Sequence, residues 1–169
     1  LRLRQQYFFS AASIADILQN HLNQYGTLDN LADKVSIQLN DTHPTVAIPE
    51  MMRILLDECS YEWDAAFDIC RKVFAYTNHT VMSEALEKWN ADIFRSTLPR
   101  IWQIVCEMDR RCRADLAKAF PGDQGKIDYM ALIGDNQPGP HRQHLCLHLP
   151  RHQRRFQAAQ RDHQGQRVP

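Results

Sequence analysis

Residues 35–44 read VSIQLNDTHP and residues 73–80 read VFAYTNHT, and the organisation of the chain follows from these two segments. In the first, Val35, Ile37 and Leu39 alternate with polar residues, which is the period of a strand with one buried face. In the second, a β-branched and aromatic run also stops at polar residues. Each segment therefore predicts a strand that runs into a polar loop.

Helical periodicity surrounds both strands. A first helix has apolar side chains at steps of three and four residues, namely Tyr7, Ala11, Ile14, Leu18 and Leu22. Gly26 is expected to end this helix. After the first loop, Pro44 suits a first helical turn, and a kink or a late helix start is expected at Pro49 because proline has no N–H.

Two more helices complete this pattern. One is predicted around Trp63, Phe67 and Cys70, just before the second strand. A long helix is predicted from about Pro99 to Phe120, where Pro and Gly follow. Strands separated by helices predict a helix-rich α/β fold built in layers.

Composition divides the chain near Gln137. The whole sequence has zero formal net charge, with 44% hydrophobic and 24% charged residues, as in a globular domain. Residues 138–169, however, contain six arginines and one aspartate and show no sustained period. We therefore predict a partial α/β domain over residues 1–137 and disorder over residues 138–169.

The lack of a recognisable signal peptide and the pattern of cysteines favour a cytoplasmic location. The five cysteines are odd in number and form no CxxC pair, which favours reduced thiols. The first residues lack the apolar core of a signal peptide, and no apolar run is long enough to span a bilayer. We expect a cytoplasmic protein without a membrane segment.

The two polar loops are the candidate site. If the strands are parallel neighbours, their carboxyl ends bring Asn40, Asp41, Thr42 and His43 close to residues 77–80, TNHT. Amide, hydroxyl, carboxylate and imidazole groups match the hydroxyls of a sugar. Such residues are also ordinary in loops and caps, and Thr42 could instead cap the following helix.

Other kinds of site fit the sequence less well. Asp41, His43 and His79 could imitate a site with two histidines and one carboxylate, but no close His-x-His or HExxH spacing supports a metal. Glu84, Glu87 and Lys88 could form an acid/base group, although charges at this spacing more often lie on a solvated helix face. No phosphate-binding loop is present.

Three long segments carry a family resemblance: LRLRQQYFFSAASIADIL, VSIQLNDTHPTVAIPEMMRIL and FAYTNHTVMSEALEKW. In this order they resemble the N-terminal part of the catalytic region of glycogen and α-glucan phosphorylases, over residues 1–137. The resemblance implies a partial Rossmann-like domain of the GT-B glycosyltransferase type. It also implies a dimeric and in some members allosteric enzyme, which uses pyridoxal phosphate to pass the terminal α-1,4-linked glucose of a glucan to inorganic phosphate.

The resemblance also assigns roles to the two loops. His79 matches the histidine that contacts the glucosyl unit, through its side chain to a sugar hydroxyl and through its backbone towards developing positive charge. Asp41 and His43 match positions that line the cleft near the acceptor side. Asn40, Thr42 and Asn78 would support them.

The family's cofactor-bearing lysine and substrate-phosphate site belong to a second domain, which the matching segments do not include. We expect no cofactor-binding residue and no metal ligand in this chain, and no activity from the chain alone. A free-standing glucan-binding module is the alternative function.

The sequence of residues 138–169 is expected to be out of frame. Codons for Gln153 to Val168 can be chosen so that reading from the second base gives NGVSKLHSEIIKDSV, which resembles the continuation in family members. A frameshift near Gln137 would explain the Arg, Gln and His enrichment without nucleic-acid binding through a basic tail.

Overall fold

The computed structural model describes residues 1–77, 79, 87–135 and 143–145. Its helices and strands are α1 Arg2–Tyr25, α2 Leu31–Lys34, β1 Ile37–Asn40, α3 Ala47–Arg53, α4 Trp63–Val73, β2 Phe74–Thr77, β3 Trp89–Asn90, α5 Ala91–Thr97, α6 Pro99–Ala119, α7 Gln124–Met130, β4 Ile133–Asp135 and β5 Gln143–Leu145. A 3-10 turn, His43–Val46, precedes α3, and a π-helical turn, Ile54–Glu58, follows it. The chain has the predicted helix-rich α/β fold.

Strands β1 and β2 are parallel neighbours. Their register pairs Ile37 with Phe74 at one end and Asn40 with Thr77 at the other. Helices α3 and α4 lie between them in the chain, as a parallel pair requires a long crossover. Both predicted strands are confirmed, although β1 begins at Ile37 rather than at Val35 and β2 at Phe74 rather than at Val73, which ends α4.

Helix α1 ends at Gly26 as predicted, and it begins at Arg2, before the first periodic residue, Tyr7. Gly26 adopts the left-handed conformation with φ of 71°, and its N–H donates to the Leu22 carbonyl at 2.8 Å. Glycine reaches this conformation without a Cβ clash, so the helix ends there. On the buried face of α1, Ile14 and Leu18 join the main core.

Helix α3 is the centre of the domain. Every residue from Ala47 to Met52 is buried, including Glu50, and the helix contacts α1, α4 and α6. Pro49 occupies the first turn of α3, where backbone N–H groups have no partner within the helix. The expected late start is confirmed, because the chain before Ala47 forms a 3-10 turn.

The apolar core has two parts. The main part joins α1, α3 and α4 to Leu39, Phe74 and Tyr76 of the strands. The second part lies between the start of α1, α5 and α6, and its buried members are Leu3, Val46, Phe94, Leu98, Ile101 and Val105. Helix α6, predicted as Pro99 to Phe120 and observed as Pro99–Ala119, contributes to both parts.

Some of the structure was not predicted. Helices α5 and α7 are short, and β3, β5 and β4 form an antiparallel sheet in that order. Within residues 138–169, for which the sequence predicts disorder, the described residues Gln143–Leu145 form the middle strand of that sheet. The rest of that segment lies outside the described residues, and both the domain boundary at Gln137 and the frameshift stay predictions.

The surface carries several large apolar side chains. Phe8 and Phe9 are 66% and 68% exposed, and Tyr129 is 70% exposed. The four described cysteines are free thiols. Within the described part of the chain, every helix is too short or too polar to cross a membrane.

Candidate functional site

The carboxyl ends of β1 and β2 bring the two predicted loops together. Asn40 pairs with Thr77 in the last register position, and His79 Nε2 lies 2.5 Å from Asn40 Oδ1. An amide oxygen only accepts, so the imidazole donates from Nε2. We call Asn40–His43, Thr77 and His79 the polar edge.

Asp41 turns the chain out of the strand. Its φ is 69°, a left-handed value that aspartate tolerates better than most residues. Its N–H donates to the Thr77 carbonyl at 2.8 Å, and one of its carboxylate oxygens accepts the Thr42 N–H at 2.7 Å. Next to this turn, Gln38 Nε2 donates to Thr77 Oγ1 at 2.7 Å. The polar edge therefore has a defined backbone geometry.

Thr42 supports the turn from inside. It is 8% exposed, and its carbonyl accepts from Thr45 Oγ1 at 2.6 Å. It occupies the position before the 3-10 turn but makes no side-chain capping bond. The capping role considered from the sequence is therefore wrong for this side chain, and Thr42 holds the loop rather than facing solvent.

His43 lies at the other end of the loop and contacts helix α1. Its Nε2 accepts from an Arg2 guanidinium N–H at 2.9 Å. The structure therefore brings Asn40, Asp41 and His79 together and gives His43 a separate partner. The predicted site residue Asn78 lies outside the described residues.

The first two turns of α1 connect to the polar edge through Arg2 and Gln6, which sequence reasoning missed, and through Glu87, which it placed on a solvated face. Arg2 pairs with Glu87 at 3.0 Å, and Gln6 Nε2 donates to both carboxylate oxygens of Glu87 at 3.2 Å. The Glu87 side chain is only 15% exposed, so its predicted place on a solvated helix face is wrong. Gln6 and Glu87 are 81 positions apart, so no local pattern links them. The sequence signal for them was that both lie within the segments that resemble the family.

A second contact fixes α1 to the buried helix α3. Tyr7 donates to Glu50 Oε2 at 2.8 Å, and Arg53 donates to both oxygens of the same carboxylate at 2.8 and 3.0 Å. Burial, followed by the hydrogen bond to Glu50, raises the pKa of Tyr7 to about 12. The hydrogen bond to Glu50 also raises the pKa of Arg53. This network joins α1 to α3, which begins directly after the 3-10 turn His43–Val46.

The described residues do not form an enclosed site for the cofactor or for a metal. All five lysines, Lys34, Lys72, Lys88, Lys118 and Lys126, are exposed. No three His, Cys, Asp or Glu side chains in the described part of the chain converge as metal ligands. Pyridoxal phosphate, which needs a lysine in a pocket, does not fit the residues present here.

What the polar edge offers is hydrogen bonding to neutral ligands. Asn40, Thr77 and His79 are exposed and combine amide, hydroxyl and imidazole groups. These groups both donate and accept, as sugar hydroxyls do. Asp41 adds a carboxylate, which disfavours a bare anion and accepts from hydroxyls.

Comparison with known proteins gives one family. The model of the family described as "Carbohydrate phosphorylase" matches residues 1–150. The chain is 48% identical to glycogen phosphorylase of Bacillus subtilis over 133 residues, which are 78% of this chain and 16% of that protein. It is 46% identical to glycogen phosphorylase of Chlamydia trachomatis over 133 residues, which are 79% of this chain and 16% of the relative.

A similarity to animal proteins extends further along the chain. The muscle form of glycogen phosphorylase from Ovis aries is 43% identical over 156 residues, which are 87% of this chain and 18% of that protein. The chain thus spans less than a fifth of the length of the curated relatives that it matches. The matched segments include both strands and the polar edge.

Proposed function

Because the chain belongs to the carbohydrate phosphorylase family, we propose that it forms one wall of the glucan cleft of an α-glucan phosphorylase. The reaction proposed for the whole protein passes the terminal α-1,4-linked glucosyl unit of a glucan to inorganic phosphate and gives glucose 1-phosphate, in glycogen or starch degradation. The observation that carries the proposal is the contact of His79 with Asn40 across the β1–β2 pair. It places both loops of the family-matched region at one edge.

His79 is the residue to which we assign direct contact with the glucosyl unit. Its Nε2–H is used by Asn40, so the remaining ring nitrogen, Nδ1, is a hydrogen-bond acceptor for a sugar hydroxyl. Its backbone carbonyl would lie near the sugar carbon on which positive charge develops as the glycosidic bond breaks. A fixed dipole at that point favours the transition state over the ground state.

Asn40 and Asp41 are assigned to glucan orientation. The Asn40 amide can donate from its nitrogen while its oxygen holds His79. Asp41 uses one carboxylate oxygen for the Thr42 N–H, which leaves capacity on the other oxygen for a hydroxyl. Asn78 stays in the proposed set with them. Holding a substrate in the reactive orientation contributes to rate without chemistry by these groups.

The remaining parts of the machinery are assigned to other residues. We assign pyridoxal phosphate and the site for inorganic phosphate to segments other than the described one, since no lysine here is enclosed. The role of residues 1–135 is then limited to binding and orienting the glucan, and no activity is expected from them alone. A homodimer and a cytoplasmic location complete the proposal.

A chimera tests this assignment. The matched segment of this chain would replace its counterpart in the Bacillus subtilis glycogen phosphorylase, to which it is 48% identical over 133 residues. We expect the chimera to release glucose 1-phosphate from maltoheptaose and inorganic phosphate. In the chimera, His79→Ala should lower turnover by about 10²-fold or more, the size of effect seen when one preorganised transition-state contact is removed.

A matched pair of asparagine variants compares the effect on turnover of a change at the polar edge with that of a change elsewhere on the surface. Asn40→Ala removes the partner of His79 and should lower turnover, whereas Asn20→Ala changes an exposed amide on α1 and should not. A folded chimera in which His79→Ala and Asn40→Ala retain full activity would exclude the proposed roles.

Calorimetry with maltoheptaose on the 169-residue chain distinguishes the proposed function from the alternative, a free-standing glucan-binding module. Tight, saturable binding by this chain alone would favour a free-standing glucan-binding module. Absence of binding together with an active chimera would favour the proposed function, in which this chain binds a glucan only together with the rest of the phosphorylase.

A further inference from the structure

The contact of Arg2 with His43 joins the N-terminus of α1 to the polar edge. The same guanidinium nitrogen of Arg2 lies 2.9 Å from His43 Nε2 and 3.0 Å from Glu87 Oε1. That nitrogen carries two hydrogens, so it can donate to both groups at once. Three separate segments of the chain thus meet at one guanidinium.

Glu87 is the fixed point of this cluster. Its side chain is 15% exposed, and it also accepts from Gln6 Nε2 at 3.2 Å. Arg2 is 63% exposed, so packing alone does not hold its long side chain. A shielded carboxylate that is bonded from two sides does hold it, because leaving such a charge unpaired is costly.

The chemistry of the guanidinium decides the state of His43. Arginine stays protonated and has no acceptor atom, so His43 Nε2 must present its lone pair. The neutral ring then carries its proton on Nδ1, which makes that nitrogen the hydrogen-bond donor of the side chain. A histidine side chain in water prefers the other tautomer, with the proton on Nε2.

His79 has the opposite arrangement. Its Nε2 donates to Asn40 Oδ1, so its proton is on Nε2 and its Nδ1 accepts. The two histidines of the polar edge therefore offer one donor, at His43, and one acceptor, at His79. A glucan hydroxyl can bond to either nitrogen, because it both donates and accepts.

We propose that Arg2, held by Glu87, is a positioning residue that fixes His43 in the tautomer with the proton on Nδ1, so that the loop presents a donor to a glucan hydroxyl. The ligand in this statement rests on the proposed function. The tautomer itself does not depend on it, because Arg2 and Glu87 act without any sugar present.

The test is nitrogen NMR of the 169-residue chain labelled with ¹⁵N-histidine, about two pH units above the ordinary histidine pKa of about 6.5. The shifts of the two ring nitrogens show which one carries the proton, and His43→Gln identifies the His43 signals among those of the eight histidines. We expect His43 to have its proton mainly on Nδ1. Arg2→Ala should make the Nε2–H form the majority.

Three more variants keep the test decisive. Arg2→Lys keeps a positive donor without the planar fork and should keep part of the Nδ1–H population. Glu87→Gln should reduce it by loosening Arg2. Arg4→Ala changes an exposed arginine on the same helix and should leave the His43 shifts unchanged.

The outcomes separate the two proposals. A His43 ring with its proton mainly on Nε2 in the unaltered chain, or a ring unaffected by Arg2→Ala while circular dichroism stays unchanged, would overturn the positioning role. If the tautomer responds as expected but the chimera releases no glucose 1-phosphate, the proposed function fails and the Arg2–His43 coupling stands.

Discussion

The polar edge and the two buried carboxylates, Glu50 and Asp109, use their hydrogen-bonding capacity in opposite ways. At the polar edge, Asn40, His43 and His79 are exposed, and the bonds described above leave one atom of each imidazole or amide available. Glu50 and Asp109 are 2% and 7% exposed and each accepts three hydrogen bonds.

This difference separates groups that can serve a ligand from groups that hold the fold. A buried carboxylate must be satisfied within the protein, so each removal leaves donors without acceptors. An exposed side chain exchanges its partners with water at little cost. Stability measurements on variants of both regions test this division.

The largest loss of stability is expected at Asp109. Its carboxylate accepts the N–H groups of Leu132 and Ile133 at 2.7 and 3.1 Å, and Arg113 Nε at 2.7 Å. Asp109→Ala should lower the free energy of unfolding by about 2–4 kcal/mol, because two backbone donors lose their acceptor. Arg113 loses one of its partners and keeps Asp128 and the Ile133 carbonyl. Urea denaturation followed by circular dichroism measures this loss.

Asp115→Ala is the control for that prediction. Asp115 lies on the same helix, is 79% exposed and, among the described residues, pairs with the equally exposed Lys118. Its removal should change the free energy of unfolding by less than about 0.5 kcal/mol. Equal losses for both variants would show that Asp109 does not connect α6 to β4.

A smaller loss is expected for Glu50→Gln. The amide keeps the shape of the side chain but replaces one acceptor by a donor that faces Tyr7 or Arg53. We expect a loss of about 1–3 kcal/mol in the same assay. Glu62→Gln, an exposed change at the start of α4, should have almost no effect. If Glu50→Gln left the free energy of unfolding unchanged, this network would have no structural role.

Alkaline pH should weaken the fold through two tyrosines. Burial, followed by the hydrogen bond to Glu50, raises the pKa of Tyr7 to about 12, and burial, followed by the hydrogen bond to Asp29, raises the pKa of Tyr61 to about 12. Unfolded tyrosine has a pKa near 10, so the unfolded state releases its protons first as pH rises. This contribution to stability is complete below about pH 10 and decreases between about pH 10 and about pH 12.

Urea midpoints measured across that interval check the effect. The double variant Tyr7→Phe with Tyr61→Phe should show a shallower decrease than the unaltered chain. An unchanged slope would mean that neither phenol keeps its proton in the folded state.

The smallest effect on stability is expected at the polar edge. His79→Ala and Asn40→Ala should each change the free energy of unfolding by about 0.5 kcal/mol or less, since their contact is exposed. The same variants are those expected to lower turnover in the chimera. A loss above about 2 kcal/mol for either would place the polar edge among the groups that hold the fold.

Elements long enough to show a hydrophobic period were predictable, because the side chains that follow the period are those that pack into the core. The apolar stripe of α1 predicted the helix, and Gly26 predicted its end. In the structure Gly26 has the left-handed φ of 71° that ends the helix. Alternation gave β1, and the same polar loops that follow β1 and β2 in the sequence meet in the structure at Asn40 and His79. Parallel pairing of the two strands was the one assumption needed.

Short elements could not be predicted in this way. Helices α5 and α7 have seven residues each, and β3 has two, which is too short for a period to be visible. The antiparallel sheet joins Trp89–Asn90 to Gln143–Leu145, so its strands depend on distant partners. Glu87 was assigned to solvent because charge alone says nothing about what packs over it.

Local sequence predicts the helices α1, α4 and α6, the existence of both parallel strands and the residues of the polar edge. The periods and residue types that mark each of these features lie within a few positions of one another. The partners of His43 and Glu87 follow from the folded chain instead. Arg2 and His43 are 41 positions apart, and Gln6 and Glu87 are 81 positions apart. No local pattern specifies such contacts, which form when α1 packs across the loops and excludes water from the carboxylate between them.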